Sequence, residues 1–181
     1  MRVLPLAFAL LATPALAADS ADKAGAAVAP SFHPPMRRFE AVPREPGRIG
    51  IGIGGGTRTT GLSLKATVDE NLSLQLVAGV DSGATNDRGG TLALSGSVLV
   101  EMPAIVEDED YEIGWCVGAG PYIAVGDQFW LGAHAIAGLE INLRVIPLEF
   151  QLEYRPSLEL IGPDEVDLVL VDFGGHLRWW F

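Results

Sequence analysis

From Arg48 to Phe181, apolar and polar residues alternate along the chain with a period of two. The alternation is clearest in residues 148–155, where every second residue is Leu, Phe or Tyr and the residues between them are Glu, Gln or Arg. An α-helix would scatter these charges around its circumference, whereas a β-strand places all of them on one face. The pattern therefore predicts an all-β domain.

Turn-forming residues divide this region into eight predicted strands. Asp69-Glu70-Asn71 and Gly126-Asp127-Gln128 are typical tight turns, and residues 81–90 are rich in Gly, Asp and Asn. The predicted strands cover residues 48–57, 60–68, 72–80, 91–102, 111–125, 129–144, 148–160 and 166–181. Because eight is an even number, both ends of the domain are expected on the same side.

Alternation alone does not say which face meets water. A soluble lipocalin-like barrel alternates as well, with its apolar face inside. Two features favour lipid on the outside: most strands reach the roughly 9 to 11 residues that cross a bilayer, and aromatic residues occur near strand ends. These aromatic residues are Tyr111, Trp115, Phe129, Trp130 and Trp179 to Phe181.

Glycine provides a third feature, because it occurs mainly at the polar positions of the strands. A narrow lumen must place very small residues next to long charged ones. Together, the three features predict a closed, eight-stranded, antiparallel up-and-down transmembrane β-barrel with a filled polar interior. Side chains fill the interior of an eight-stranded barrel, so a general diffusion pore is not expected.

The N-terminal residues have the pattern of an export signal. Met1-Arg2 is followed by an apolar run and by Ala15-Leu16-Ala17, which predicts a cleaved signal peptide over residues 1–17. Residues 18–47 are rich in Ala and Pro and are expected to be a flexible periplasmic leader. The barrel domain then covers residues 48–181. After residue 17 the sequence contains no run of about 18 apolar residues, so it predicts no transmembrane helix.

Composition narrows the possible chemistry. The formal net charge is −11, which gives the chain no electrostatic reason to bind nucleic acid. The one cysteine, Cys116, has no second cysteine with which to form an internal disulfide, and it is expected to be a small interior residue. Only 19% of the residues are charged while 22 are glycine, an unusual combination for a soluble acidic protein.

The candidate site is the set of charged residues at inward positions. Unpaired burial costs several kcal/mol per charge, so we expect a ladder of ion pairs between neighbouring strands. The residues concerned are Lys65, Glu101, Glu112, Glu140, Arg144, Glu149, Glu153, Arg155, Glu159, Asp172 and Arg178. The structural interpretation is a polar plug that fills the lumen and fixes strand register. The functional alternative is a gated path for protons or small ions.

Other polar residues do not predict a metal, cofactor or catalytic site. His134 and His176 share the inward parity, and Asp172 precedes His176 by four residues. Residues four apart in a strand are about 13 Å apart, so this spacing does not bring the two side chains together. The acidic connection 103–110 is predicted to be a loop, with a cation or a basic partner as the alternative to simple solvation.

The last strand carries a family resemblance. Phe181, with Trp179, Leu177 and Phe173 at alternating positions before it, resembles the signal by which outer-membrane barrels are recognised by their assembly machinery. Residues 147–156 are similar to a penultimate strand of such proteins. The family resembled is the small eight-stranded bacterial outer-membrane β-barrel, such as outer-membrane protein X and the membrane domain of outer-membrane protein A.

This resemblance implies a location and partners more than an activity. It implies the cell outer membrane, outer-membrane lipids and the barrel-assembly machinery as partners, with both ends of the domain periplasmic. The outward loops would then be 57–60, 81–90, 126–128 and 162–165, which are short for an adhesin or a receptor.

The expected function is a non-enzymatic, envelope-structural role. A secreted soluble β-barrel that binds a small apolar ligand is the first alternative, and a lipid-modifying outer-membrane enzyme is the second. Lipid A deacylases of this kind resemble one another in a His-x-Ser placement on one strand. In this chain His134 is followed by Ala135 and Ile136, so the serine is missing.

Overall fold

A computed structural model of the protein describes residues 45–56, 59–81, 91–162 and 166–181. The predicted signal peptide lies outside the described residues, as do the leader up to residue 44 and most of the predicted loops 57–60, 81–90 and 162–165. All regular structure in the described residues is β-strand. Within these residues, no helix is long and apolar enough to cross a membrane.

Eleven strand segments are seen in the described residues, and every pairing between them is antiparallel. They are β1 (Ile49–Gly56), β2 (Thr59–Asp69), β3 (Leu72–Asp81), β4 (Thr91–Glu101), β5 (Val106–Glu107), β6 (Tyr111–Val125), β7 (Phe129–Leu143), β8 (Leu148–Tyr154), β9 (Ser157–Ile161), β10 (Asp167–Val169) and β11 (Phe173–Trp180).

The sheet closes on itself because β1 pairs with β2 on one side and with β11 on the other. β8 and β9 form one interrupted wall strand, β10 and β11 form another, and β5 is a short extension beyond β4. The wall therefore has eight strands, which confirms the predicted closed antiparallel barrel. We call the end at Arg48 and Phe181 the near end, and the end at Gly56 and Thr59 the far end.

One interruption of the wall follows directly from proline chemistry. Pro156 separates β8 from β9, and proline has no backbone N–H to donate to a neighbouring strand. Its carbonyl still accepts a hydrogen bond from the N–H of Ala135 on β7, at 2.9 Å. Arg155 and Ser157 on either side of it both remain buried, so the inward face continues through the break.

The second interruption changes which residues face inward. Val169 pairs with Ser157, while Phe173 pairs with Tyr154, so β10–β11 contains one residue more than its partner strand. This is the arrangement of a β-bulge. Simple alternation predicts Val169 on the outer face, and this prediction is wrong because the bulge shifts the phase and places Val169 on the face of the buried Ser157.

The predicted loop 103–110 contains additional strand structure. Val106 and Glu107 pair with Ile113 and Glu112, so β5 and the start of β6 form a hairpin that continues past the near end of the wall. The hairpin turns tightly, since the N–H of Asp108 donates to the carbonyl of Tyr111 at 2.9 Å. The acidic connection is therefore partly paired strand and not wholly a loop.

Burial follows the alternation, with charges inside and apolar side chains outside. Lys65 is 2% exposed and Arg178 is fully buried, whereas Ile53 and Leu152 on the outer face are 68% and 65% exposed. The centre of the barrel is consequently polar.

The tryptophans divide between the two faces. Trp115 and Trp179 lie on the outer face, while Trp130 and Trp180 are buried in the lumen. The inward direction of Trp180 agrees with its polar parity. Trp130 was counted among the aromatic residues that favour lipid on the outside, and for this residue the prediction is wrong, because its ring packs inside the far end with Tyr122 and two alanines.

Glycines on β1 provide the space for large residues on β11. Gly50, Gly52 and Gly54 stand directly opposite Trp180, Arg178 and His176. A Cβ at Gly52 would collide with the backbone carbonyl oxygen of Leu177, and a Cβ at Gly54 with the ring of His176. The seam that closes the barrel thus requires glycine at position 52 for close approach of the β11 backbone and at position 54 for the ring of His176.

Candidate functional site

The centre of the lumen contains one ammonium group surrounded by three carboxylates. Lys65 Nζ lies 2.6 Å from Glu140 Oε1, 3.0 Å from Glu101 Oε1 and 3.5 Å from Glu149 Oε2. These partners belong to β4, β7 and β8, while the strands next to β2 are β1 and β3. The Lys65 contacts therefore cross the lumen, and here the predicted ladder between neighbouring strands is corrected.

Arg178 is the second hub of the lumen. Its guanidinium donates from Nε to Ser63 Oγ at 2.8 Å, and its two terminal nitrogens donate to Glu149, Gln151 and Gln75. Glu149 stands directly opposite Arg178 in the β8–β11 register. The planar fork of an arginine suits this role, because it holds several acceptors at fixed angles.

A ring of side chains extends from Arg178 through the middle of the lumen. Ser63 Oγ and His176 Nδ1 are hydrogen-bonded at 3.0 Å, and His176 Nε2 lies 3.1 Å from Glu153 Oε2. Gln75 Nε2 donates to Glu153 Oε1 at 2.7 Å, and Gln75 Oε1 accepts from the Arg178 guanidinium. These five side chains form a closed circuit of polar contacts that ties four strands together.

Nearer the far end, charges are held less tightly. Arg155 Nε lies 3.8 Å from Glu153 Oε2, and Arg155 Nη2 lies 3.8 Å from Asp172 Oδ1. His134 Nε2 and Ser97 Oγ are hydrogen-bonded at 2.8 Å, and Tyr122 donates to Glu159 at 3.2 Å.

A small cavity of about 20 Å³ lies among these residues. Its lining is polar and comprises Thr59, Ser95, Tyr122, His134, Arg155, Ser157 and Asp172. A space of this size accommodates about one water molecule. It is too small for an organic ligand.

Arg144 occupies the rim of the near end. Its Nη2 lies 3.2 Å from Glu112 Oε2, and its Nη1 donates to the backbone carbonyl of Asp108 at 3.0 Å. The side chain is about a third exposed, so solvent weakens its ion pair. Arg144 therefore connects the wall to the acidic hairpin and takes no part in the central network.

Replacing Arg144 by Ala is expected to loosen this hairpin with little loss of stability. Hydrogen exchange at the backbone amides within residues 103–110 should become faster, because the backbone carbonyl of Asp108 loses the hydrogen bond that the Arg144 guanidinium donates. The free energy of unfolding should fall by less than about 1 kcal/mol, as for other solvent-exposed ion pairs.

Arg48→Ala is the matched control, since Arg48 also lies at the near end but contacts Glu45 and the Phe181 carbonyl. Unchanged exchange at residues 103–110 in Arg144→Ala, or equally faster exchange in both variants, would contradict the assigned role.

The residues of the predicted assembly signal lie on the outer face. Phe173, Leu177, Trp179 and Phe181 all expose more than a third of their surface, and Phe173 lies against Tyr154 with ring centroids 5.4 Å apart. Cys116 is fully buried with Leu99 and Ile136, and Gln151 Nε2 lies 3.5 Å from its sulfur.

Sequence reasoning missed the uncharged members of the network. Ser63, Gln75 and Gln151 each bond to a charged side chain, and each was visible only as an inward polar position. His176 was considered with Asp172, whereas its close carboxylate is Glu153. Contact partners are up to 115 residues apart, so no local motif marks them.

Comparisons with protein-family models, with curated proteins and with solved structures found no match.

Proposed function

We propose that this protein is a non-enzymatic, integral outer-membrane β-barrel with a structural role in the cell envelope. The observation that carries the proposal is the inverted distribution of side chains, with charged groups paired in the lumen and apolar groups exposed around the wall. Such a wall is stable where hydrocarbon replaces water on its outer face. The basic, apolar and small-residue pattern of residues 1–17 supports export.

The contents of the lumen favour this role over the two alternatives. A soluble barrel that binds an apolar ligand needs an apolar cavity, but the described lumen is occupied by the Lys65 and Arg178 networks. A lipid-modifying enzyme needs catalytic side chains that face the lipid. His134 and its partner Ser97 are buried inside the barrel, on the face opposite the apolar outer surface.

Membrane fractionation provides the direct test. The protein should be recovered with outer membranes, and the folded barrel should migrate differently on a denaturing gel before and after boiling. Recovery in the soluble periplasm alone would refute the proposal.

Tryptophan quenching tests the direction of the two faces. In variants that keep one tryptophan and replace the other three by Phe, bromine on the acyl chains of phospholipid vesicles should quench Trp115 and Trp179 strongly. Trp130 and Trp180 should be quenched little, because they are 5% and 2% exposed and face the lumen. Equal quenching of all four, or of none, would contradict the proposed orientation.

A further inference from the structure

A buried amide without a hydrogen-bond partner lies at the near end of the lumen. Asn142 on β7 is fully buried, and neither its Nδ2 nor its Oδ1 has a hydrogen-bond partner among the described residues. Buried polar groups are almost always hydrogen-bonded, because an unbonded group loses its contacts with water and gains none in the protein. The Asn142 amide therefore has the capacity to bind a ligand.

The two neighbours of this amide are carboxylates. Asn142 stands in register between Glu112 on β6 and Glu149 on β8. Directly opposite residues have Cβ atoms about 4.5 to 5.5 Å apart, so an Asn142 N–H would ordinarily donate to one of the two. Neither hydrogen bond forms, because Glu112 is directed to Arg144 and Glu149 to Arg178. The amide oxygen is thus available whichever way the amide is turned.

Glu101 brings a further carboxylate oxygen to this end of the lumen. It is the last residue of β4, at the near end, and is 3% exposed. Its Oε1 lies 3.0 Å from Lys65 Nζ, while its Oε2 has no hydrogen-bond partner among the described residues. Glu140 contacts the same ammonium at 2.6 Å, and Asn142 is the next inward residue after Glu140 on β7. Glu101 therefore lies close to the face of β7 that carries Asn142.

A glycine leaves room beside these groups. Gly114 follows Glu112 at the next inward position of β6 and stands opposite Glu140. It is a diagonal neighbour of Asn142 across the β6–β7 pair, and it has no side chain to fill the space there. Deeper in the lumen, Lys65 and the Trp180 ring that lies 6.0 Å from its Nζ close the barrel. The space at the near end is a pocket and not a passage.

The charges at this end favour a cation. Four carboxylates are contacted here by three cationic side chains of the described residues, and the exposed residues 107–110 of the adjacent hairpin are all acidic. The carboxylates are Glu101, Glu112, Glu140 and Glu149, and the cationic side chains are Lys65, Arg144 and Arg178. A surface with an excess of one sign concentrates ions of the other sign.

From these observations we infer that the near end of the lumen binds one hard divalent cation, of the calcium and magnesium class. Its protein ligands are the amide oxygen of Asn142 and the carboxylates of Glu112 and Glu101. Such cations prefer carboxylate and amide oxygens and complete their coordination with water. The inference goes beyond the proposed envelope role, because it gives the barrel a bound ion that joins β4, β6 and β7.

Stability in the presence of calcium tests the inference. For the full chain folded in phosphatidylcholine vesicles, the urea midpoint should rise with CaCl2 at constant ionic strength, because a ligand of the folded state stabilises that state. Asn142→Leu keeps a side chain of similar size without its oxygen, and it should lose this shift. Asn142→Asp adds a carboxylate and should bind calcium about tenfold more tightly.

Ser157→Ala is the matched control. Ser157 is also buried, and its hydroxyl has no hydrogen-bond partner among the described residues, but it lies toward the far end. Its calcium shift should equal that of the wild type. A wild-type barrel without a shift would overturn the inference. Equal shifts in wild type and Asn142→Leu would also do so, because calcium would then bind only the exposed acids of the hairpin.

Terbium luminescence locates the ion without any change at the site, and so covers the case in which the Asn142 variants do not fold. Terbium(III) replaces calcium and emits when a nearby excited tryptophan transfers energy to it. A variant whose one tryptophan is Trp180, buried at the near end opposite Gly50, should sensitise strong emission that excess calcium removes. A variant with only Trp130, buried at the far end, should not.

Equal emission from the two single-tryptophan variants, or none from the Trp180 variant, would place the ion elsewhere and overturn the inference. Because both variants must first insert into the vesicles, either result would leave the proposed membrane location intact. Failure of the wild-type chain to insert would instead count against the proposed function.

Discussion

Replacing Gly52 by Ala is expected to lower the free energy of unfolding by about 3 kcal/mol, the upper range for forced overpacking. The added Cβ points at the backbone carbonyl oxygen of Leu177, which no rotamer change can move. The strands β1 and β11 must therefore separate locally, at the seam that closes the barrel. Urea titration of the barrel in lipid vesicles measures this loss of free energy, with the folded fraction at each urea concentration read from heat-modifiable migration on a gel.

Gly96→Ala is the control for this prediction. Gly96 lies on β4, and the nearest atom to a Cβ built there is Leu76 Cδ1 at 4.0 Å. The same chemical change should alter stability little or raise it by about 0.5 to 1 kcal/mol, because alanine loses less backbone entropy than glycine on folding. Equal losses in the two variants would show that the close approach at Gly52 does not control closure.

Arg178→Met should destabilise the barrel by about 3 to 5 kcal/mol, as expected when one partner of a buried ion pair is removed. The variant leaves Glu149 with only the more distant Lys65 ammonium, at 3.5 Å, and takes a donor from Ser63. Arg178→Lys should recover only part of the loss, because a single ammonium cannot reach the acceptors that the guanidinium fork holds. The same urea titration reports both variants.

A double-mutant cycle separates the charge effect from simple loss of packing. Adding Glu149→Gln to Arg178→Met should restore part of the lost stability, since the unbalanced carboxylate is then neutral. A double variant whose losses are merely additive would show that Arg178 and Glu149 are not energetically coupled.

The alternation predicted the wall of the barrel because inward and outward faces have opposite chemistry. Leu148 and Glu149 could be assigned to faces from sequence, and burial agrees with both assignments. Errors arose where the period changes or where a side chain suits either face. The bulge before Phe173 places Val169 on the inner face of the wall, opposite to the face that alternation predicts. The apolar ring of Trp130 packs on alanines inside the lumen.

The sequence predicts which polar side chains face the lumen, but it does not predict which of them pair with one another. All inward side chains of a narrow barrel share one axis, so Lys65 can reach strands on the opposite wall as readily as its neighbours. Which carboxylate it meets depends on strand tilt and stagger, and neither is encoded in the period of two. The pairing of Lys65 with Glu140, 75 residues away, therefore required the three-dimensional structure.

The row of glycines on β1 also has a consequence for register. Because glycine occurs at positions 50, 52 and 54 of β1, a displacement of β11 by two residues would still place its bulky side chains opposite glycine. Steric fit alone thus permits several alignments of the first and last strands. The correct one is distinguished by hydrogen bonding, since the observed alignment places both Arg178 and His176 within hydrogen-bonding distance of Ser63 on β2. Polar selectivity, not shape, determines where the ring closes.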